Sequence, residues 1–166
     1  MPNIIPYDRA SAVEYARKWA YFRNPRYFNF ENIGGDCTNF ASQCLYAGSG
    51  VMNYTPVYGW FYRSASDRTP SWTGVQFFYN FLVSNKGVGP FGIDAPINMV
   101  EPGDFVQFST VRPDFHHTPV IVYIDGAPSP DSIYVAAHSN DADMRPLSSY
   151  GPFRKLRFIH IEGIRS

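Results

Sequence analysis

A cysteine that directly follows two glycines and an aspartate, in Gly34-Gly35-Asp36-Cys37-Thr38-Asn39-Phe40, is the side chain of this sequence best placed to act as a nucleophile. The pattern predicts that a helix begins at Cys37. Unpaired backbone N–H groups and the helix dipole there would favour the thiolate over the thiol. The glycines let the backbone turn sharply and leave the sulfur open to approach, and the Cys37 N–H is free to donate to a developing oxyanion. Cys44, two turns further on among Ala41, Leu45 and Ala47, reads instead as a buried core thiol. On one helix the two Cα atoms would stand about 10.5 Å apart at ~1.5 Å rise per residue, beyond the ~7 Å reach of a disulfide. Two free thiols are expected.

A cysteine nucleophile needs a base, and the candidates are His116, His117, His138 and His160. Strand parity and hairpin register sort them. If Asp125 to Pro130 is the turn between antiparallel neighbours, pairing Ile124 with Asp131 sets His117 opposite His138 on one sheet face. Cys37 would then be the nucleophile, His117 its base, and His138 the group that holds the imidazole in the correct tautomer. A one-residue slip offers Ser139 or Ala137 in place of His138, and Asn140 or Asp141 just beyond as the orienting group. His116, on the opposite strand face from His117, reads as exposed or loop-packing. His160 alternates with Leu156 and Phe158 and reads as a half-buried structural histidine.

Two other chemistries are weighed against this one. A metal hydrolase would use His117, His138 and Asp141 or Asp143 as ligands, but no His-Glu-x-x-His or similarly compact spacing is present. A binding module that has lost turnover would need no nucleophile and base. The leading expectation is therefore attack of the Cys37 thiolate on a carbonyl carbon, with a thioester intermediate and no cofactor.

The elements that must position these residues are legible in part. Asp8 to Phe22 reads as a helix with Asp8 as N-cap, Ala12, Tyr15, Ala16 and Trp19 on one face, and Asn24-Pro25 as its stop. A second helix fits Cys37 to Ala47, with Asp36 as N-cap and Gly48 just past its end. Gly48 to Pro70 reads as a long loop, and Trp72 to Ser84 as a third helix closed by Asn85-Lys86-Gly87. Asp104 to Phe108, Thr118 to Ile124, Ser132 to Ala137 and Leu156 to Ile161 are short β-branched or aromatic runs that read as an antiparallel sheet. Helices followed by strands predict a single α+β domain over residues 1–166, with the helices packed on one side of the sheet.

Composition narrows the function classes. The 14 Lys and Arg balance the 14 Asp and Glu without blocks of like charge, which argues against nucleic acid as a partner. No run approaches the ~20 apolar residues of a membrane span, so no membrane insertion is expected, and the start from Met1 to Pro6 lacks the basic and apolar regions of a signal peptide. Aromatic residues make up 17% of the chain; Tyr27, Trp60, Tyr62 and Trp72 are read as core or as the lining of a substrate groove.

Several of these segments together resemble the putative amidase domain family of Gram-positive bacteria. They are Tyr7-Asp8-Arg9 with Ala12-Val13, Asn24-Pro25, Gly35 to Phe40 with Ser42-Gln43-Cys44, and Ala137-His138-Ser139-Asn140-Asp141. That family is similar to the NlpC/P60 and CHAP cell-wall peptidases, whose Asp-Cys-Ser-Gly-Phe motif resembles Asp36 to Phe40. Their Pro-Gly-Asp strand and His-led strand resemble Pro102-Gly103-Asp104-Phe105 and His117 to Val122. The resemblance implies a papain-like fold and catalysis by Cys37, His117 and His138. It also implies a peptide or peptidoglycan-like amide substrate and an extracellular or cell-wall setting. The chain departs from NlpC/P60 enzymes in having Thr38-Asn39 in place of Ser-Gly and in the long aromatic stretch from Gly48 to Trp72.

Overall fold

The computed structural model describes residues 3–166; Met1 and Pro2, where the stretch read as lacking a leader begins, lie outside the described residues. In chain order the elements are β1 (Ile4–Ile5), α1 (Arg9–Trp19), α2 (Cys37–Ser49), β2 (Tyr62–Ser64), β3 (Asp67–Arg68), α3 (Pro70–Thr73) and α4 (Val75–Ser84). There follow β4 (Gly89–Ala95), β5 (Phe105–Ser109), β6 (Val120–Ile124), β7 (Ile133–Ala137), β8 (Ala142–Pro146) and β9 (Lys155–Arg165). Seven strands form one antiparallel sheet in the order β1-β9-β5-β6-β7-β8, with β4 also paired to β9. The α+β class read from the sequence is the class observed. No helix among the described residues is long and apolar enough to cross a membrane.

The strands bury both faces, and alternate residues divide between them. Phe105, Val120, Val122, Ile159 and Ile161 join Ala12 and Ala16 of α1, Phe40 and Leu45 of α2 and Phe78 and Leu82 of α4 in the larger core. Val106, Phe108, Ile121, Val135 and Phe158 face the other way, where Val100, Leu147 and Phe153 from irregular segments cover them. Trp60 and Trp72 are fully buried with ring centroids 4.8 Å apart, and Tyr27 and Tyr62 lie against Trp72. The two tryptophans are core, while Tyr27 and Tyr62 are half-buried and also line a surface cavity with Arg26, Tyr46 and Tyr54.

Several boundaries differ from expectation. α1 stops at Trp19, three residues early. α2 runs through Gly48 and ends at Gly50, whose left-handed φ of 65° caps it. Gly48 is instead a close-approach position, since a Cβ there would stand 2.4 Å from Tyr7 Cε1 and 2.7 Å from the Asp8 carbonyl oxygen. The third helix is two, because Gly74 is extended between α3 and α4. The supposed loop before it contains the β2-β3 hairpin.

The β6-β7 register is also not the expected one. Ile124 pairs with Ile133, not Asp131, and a bulge between Ile121 and Tyr123 leaves Val120 opposite Ala136. Ser129 and Ser132 hold the connection open: the Ser129 N–H donates to the Ser132 hydroxyl, and the Ser132 N–H to the Ser129 carbonyl, so Asp131 and Ser132 belong to the turn. The ladder ends at Val120–Ala136, short of His117, which bridges to Phe108 instead; His138 lies in the turn that follows β7, so the expected pairing of His117 with His138 is not formed.

Gly48→Ala should be destabilising even though alanine is the better helix former by about 1 kcal/mol, because backbone at 2.7 Å cannot give way as a side chain can. The expected net loss is about 1–2 kcal/mol, measured as a lower urea midpoint at unchanged slope.

Candidate active site

Cys37 is the first residue of α2, and Gly34 and Gly35 precede it with φ of 84° and 97°, a conformation that side chains rarely adopt. Asp36 occupies the N-cap position but makes no side-chain cap bond. Its carboxylate turns inward. Oδ1 accepts from the Phe30 N–H at 2.8 Å and from Asn39 Nδ2 at 2.9 Å, and Oδ2 accepts from His138 Nδ1 at 2.6 Å. Burial works against ionising this group, yet the bonds from His138, Asn39 and Phe30 hold its pKa below the ordinary carboxylate value. His138 is itself buried, stacked on Phe40 at 4.0 Å, with Nε2 2.8 Å from the Trp19 carbonyl oxygen.

Cys37 and His117 line one cleft of about 360 Å³. A short polar chain ties their elements together: the Thr38 and Thr118 hydroxyls are 3.1 Å apart, and Gln107 Nε2 donates to Thr118 at 3.2 Å. The residue after the thiol is thus fastened to the residue after the imidazole. The His117 ring sits edge-on to Phe108 at 5.3 Å and to Tyr150 at 5.6 Å, and its nitrogens hydrogen-bond to none of the described residues. Burial, with smaller contributions from His116 and Arg145, lowers its pKa from 6.5 to about 4. The imidazole is therefore neutral at pH 7 and able to accept a proton.

The thiol is not the ready-made thiolate expected from the helix terminus. Burial pushes the Cys37 pKa up, the hydrogen bonds from Thr38 and the Thr118 backbone oppose this, and the negative Asp36 adds to it. In the resting geometry Sγ lies 3.7 Å from Thr38 Oγ1 and donates to the His116 carbonyl oxygen at 3.9 Å.

Of the expected third residues, Ser139 and Asn140 line the cleft; Asn140 is exposed with a φ of 53°, and the Ser139 hydroxyl accepts from the Asp36 N–H at 3.1 Å and donates to Glu31 at 3.2 Å. His138 is bound to Asp36, and both carboxylate oxygens of Asp141 accept from Arg23 at 3.0 Å. The ligands imagined for a metal are likewise scattered, with Asp143 held by Arg17, and no group of three metal-binding side chains occurs among the described residues. His116 also lines the cleft, where its Nε2 accepts from the Thr110 N–H at 3.2 Å. His160 is structural as read, donating from Nδ1 to the buried Asp104 at 2.8 Å. Sequence reasoning missed Thr38, Thr118, Arg145 and Tyr150. The threonine pair has a signal, one hydroxyl after the thiol and one after the imidazole; Arg145 has none.

The model of the family described as Putative amidase domain matches residues 6–161. Over 164 residues the chain is 34% identical to "Uncharacterized protein YhbB" of Bacillus subtilis, covering 93% of this chain and 50% of that protein. Over 154 residues it is 27% identical to "Uncharacterized protein YjcM" of the same organism, covering 93% of this chain and 33% of that protein. The chain thus spans half or less of the length of these curated relatives. No solved structure matches it significantly.

Two measurements check this geometry. Asp36→Asn presents an amide to the His138 Nδ1 donor and leaves the nearby Arg23 charge less compensated; a loss of about 3 kcal/mol is expected from urea unfolding. Because the unfolded chain binds the His117 proton more readily than the folded one, stability should fall as pH drops from 6.5 towards 4. His117→Gln should flatten that part of the profile, and thermal melts of both proteins across the range would show whether it does.

Proposed function

Because the chain belongs to the putative amidase domain family, we propose that it is a cysteine amidohydrolase in which Cys37 is the nucleophile and His117 the general base. One observation carries the reading: a cysteine at a helix N-terminus and a neutral imidazole from the sheet line the same cleft, and their neighbours Thr38 and Thr118 are hydrogen-bonded to each other.

The raised thiol and lowered imidazole define a neutral resting pair, so the proton moves as the bond forms. His117 takes the thiol proton while Sγ attacks the amide carbonyl carbon, and the Cys37 N–H, in the first turn of α2, faces the developing oxyanion. The imidazolium then protonates the leaving amine as the C–N bond breaks, giving a thioester. His117 next removes a proton from water as it attacks the thioester; the acid leaves and the thiol is restored. Ser139 and Asn140 share the cleft as the polar residues available to the imidazole once substrate is bound, and His138 acts at one remove through Asp36.

A thiol on a helix and an imidazole on an antiparallel sheet support a papain-like relationship to NlpC/P60 and CHAP enzymes. With that relationship come peptide or peptidoglycan-like amides as substrates and a cell-wall setting. A second reading, a peptide-binding module without turnover, is favoured by the raised pKa of Cys37.

Incubation with a panel of peptides and cell-wall fragments, followed by mass spectrometry for new carboxyl and amino ends, separates the two. Cys37→Ala and His117→Ala should each lower turnover on the order of 10⁴-fold or more while leaving the melting curve intact. Limiting iodoacetamide should modify half-buried Cys37 ahead of fully buried Cys44. Turnover that survives Cys37→Ala, or labelling confined to Cys44, sinks the assignment. Absence of turnover on every member of the panel transfers the case to the binding module.

A further inference from the structure

Arg145 is the one lysine or arginine that lines the Cys37 cleft, and no aspartate or glutamate lines it. Of the other ten arginines, four form ion pairs among the described residues. Arg9 is paired with Asp104, Arg17 with Asp143, Arg23 with Glu31 and Asp141, and Arg63 with Asp67. Arg145 forms no ion pair among the described residues. It is also held in place rather than waving in solvent: Nε donates to the Ser149 hydroxyl at 2.7 Å, and the guanidinium lies 3.7 Å from the Tyr150 ring centroid. Nη1 has no hydrogen bond to the described residues. Beside it, the Tyr150 hydroxyl is buried and donates to no acceptor among the described residues.

A cation without an anion next to a donor without an acceptor, on the wall of a reactive cleft, is an arrangement that asks for an anionic ligand. The planar guanidinium, stacked on an aromatic ring with one nitrogen free, fits a carboxylate particularly well. The charge is also close enough to His117 to help keep that imidazole unprotonated.

We infer that Arg145, backed by Tyr150, is a carboxylate-binding subsite, and that the substrate carries a carboxylate near the amide it presents to Cys37. This deepens the amidohydrolase reading and rests on the cleft being where substrate binds. It requires no turnover to be tested.

The experiment is an NMR titration that follows the Arg145 Nε–H and cleft backbone signals. The probes are N-acetyl-alanyl-alanine as the free acid, the same dipeptide as its C-terminal amide, and N-acetyl-alanyl-aspartate C-terminal amide, whose only carboxylate is on a side chain. At least one acid should give a saturable shift with a Kd about tenfold or more below that of the neutral amide. Arg145→Gln should remove that preference while changing the Kd for the neutral amide less than about twofold, and Arg145→Lys, which keeps charge but loses the fork, should fall between. Whichever acid binds more tightly tells whether the recognised carboxylate is terminal or on a side chain. Equal affinity for acids and amide, a preference that survives Arg145→Gln, or no saturable shift from any acid would overturn the inference. A chain that prefers the acid through Arg145 but never hydrolyses an amide keeps this subsite and loses the reaction; one that hydrolyses amides without the preference does the reverse.

Discussion

The buried carboxylate of Asp36 is the constraint on which the site depends. A charge removed from water is tolerated only when hydrogen bonds and opposite charge surround it, and each partner that meets this need comes from a different part of the chain. Phe30 belongs to the irregular segment before α2, Asn39 to its first turn, His138 to the end of β7 and Arg23 to the stretch after α1. His138 then reaches the Trp19 carbonyl, and Arg23 reaches Glu31 and Asp141. Satisfying one carboxylate therefore fixes where α2 begins relative to the sheet, and with it the position of Cys37.

A second buried carboxylate does the same work at the other end of α1. Asp104 accepts from Arg9 at 2.8 Å, from the Ile161 N–H at 2.9 Å, from the Glu101 N–H at 2.8 Å and from His160. It locks α1 to β5 and β9, which accounts for the Pro102-Gly103-Asp104 segment on structural grounds. Between the two ties lies the hydroxyl chain Thr38 to Thr118 to Gln107, whose carbonyl oxygen accepts from Arg157 at 2.6 Å. The helix that carries the thiol and the strand entry that carries the imidazole are thus held by polar contacts from both sides, in a region where apolar packing alone would leave their relative position loose.

The sequence made the helix start at Cys37 and the strand that follows His117 legible because their signals are local: glycines and a helix start for one, a β-branched run for the other. It also made the α+β class legible, through periodicity. The register that put His138 opposite His117 was misread because it depends on where a turn closes. Ser129 and Ser132 lengthen the β6-β7 connection by side-chain bonds that strand periodicity does not encode. Gly48 was misread for a related reason, since a glycine that stops a helix and one that admits a neighbouring ring look alike in a single sequence; here the ring is Tyr7. β4 and β8 escaped notice because their prolines, glycines and charged residues do not resemble a strand until β9 and β7 supply partners.

The architecture sets the chemistry in one further respect. A carboxylate immediately before Cys37 is what orients α2, yet its negative charge adds to the burial that already disfavours a thiolate there. The same burial disfavours an imidazolium at His117. Both groups are consequently kept in their neutral forms by the walls of one cleft, which makes proton transfer between them costly in isolation. In the proposed reaction an incoming carbonyl offsets that cost, because the charge that forms would rest on an oxygen facing the first turn of α2 and not on the sulfur. On the proposed reading the site is least reactive when empty, and the placement of Asp36 is part of the reason.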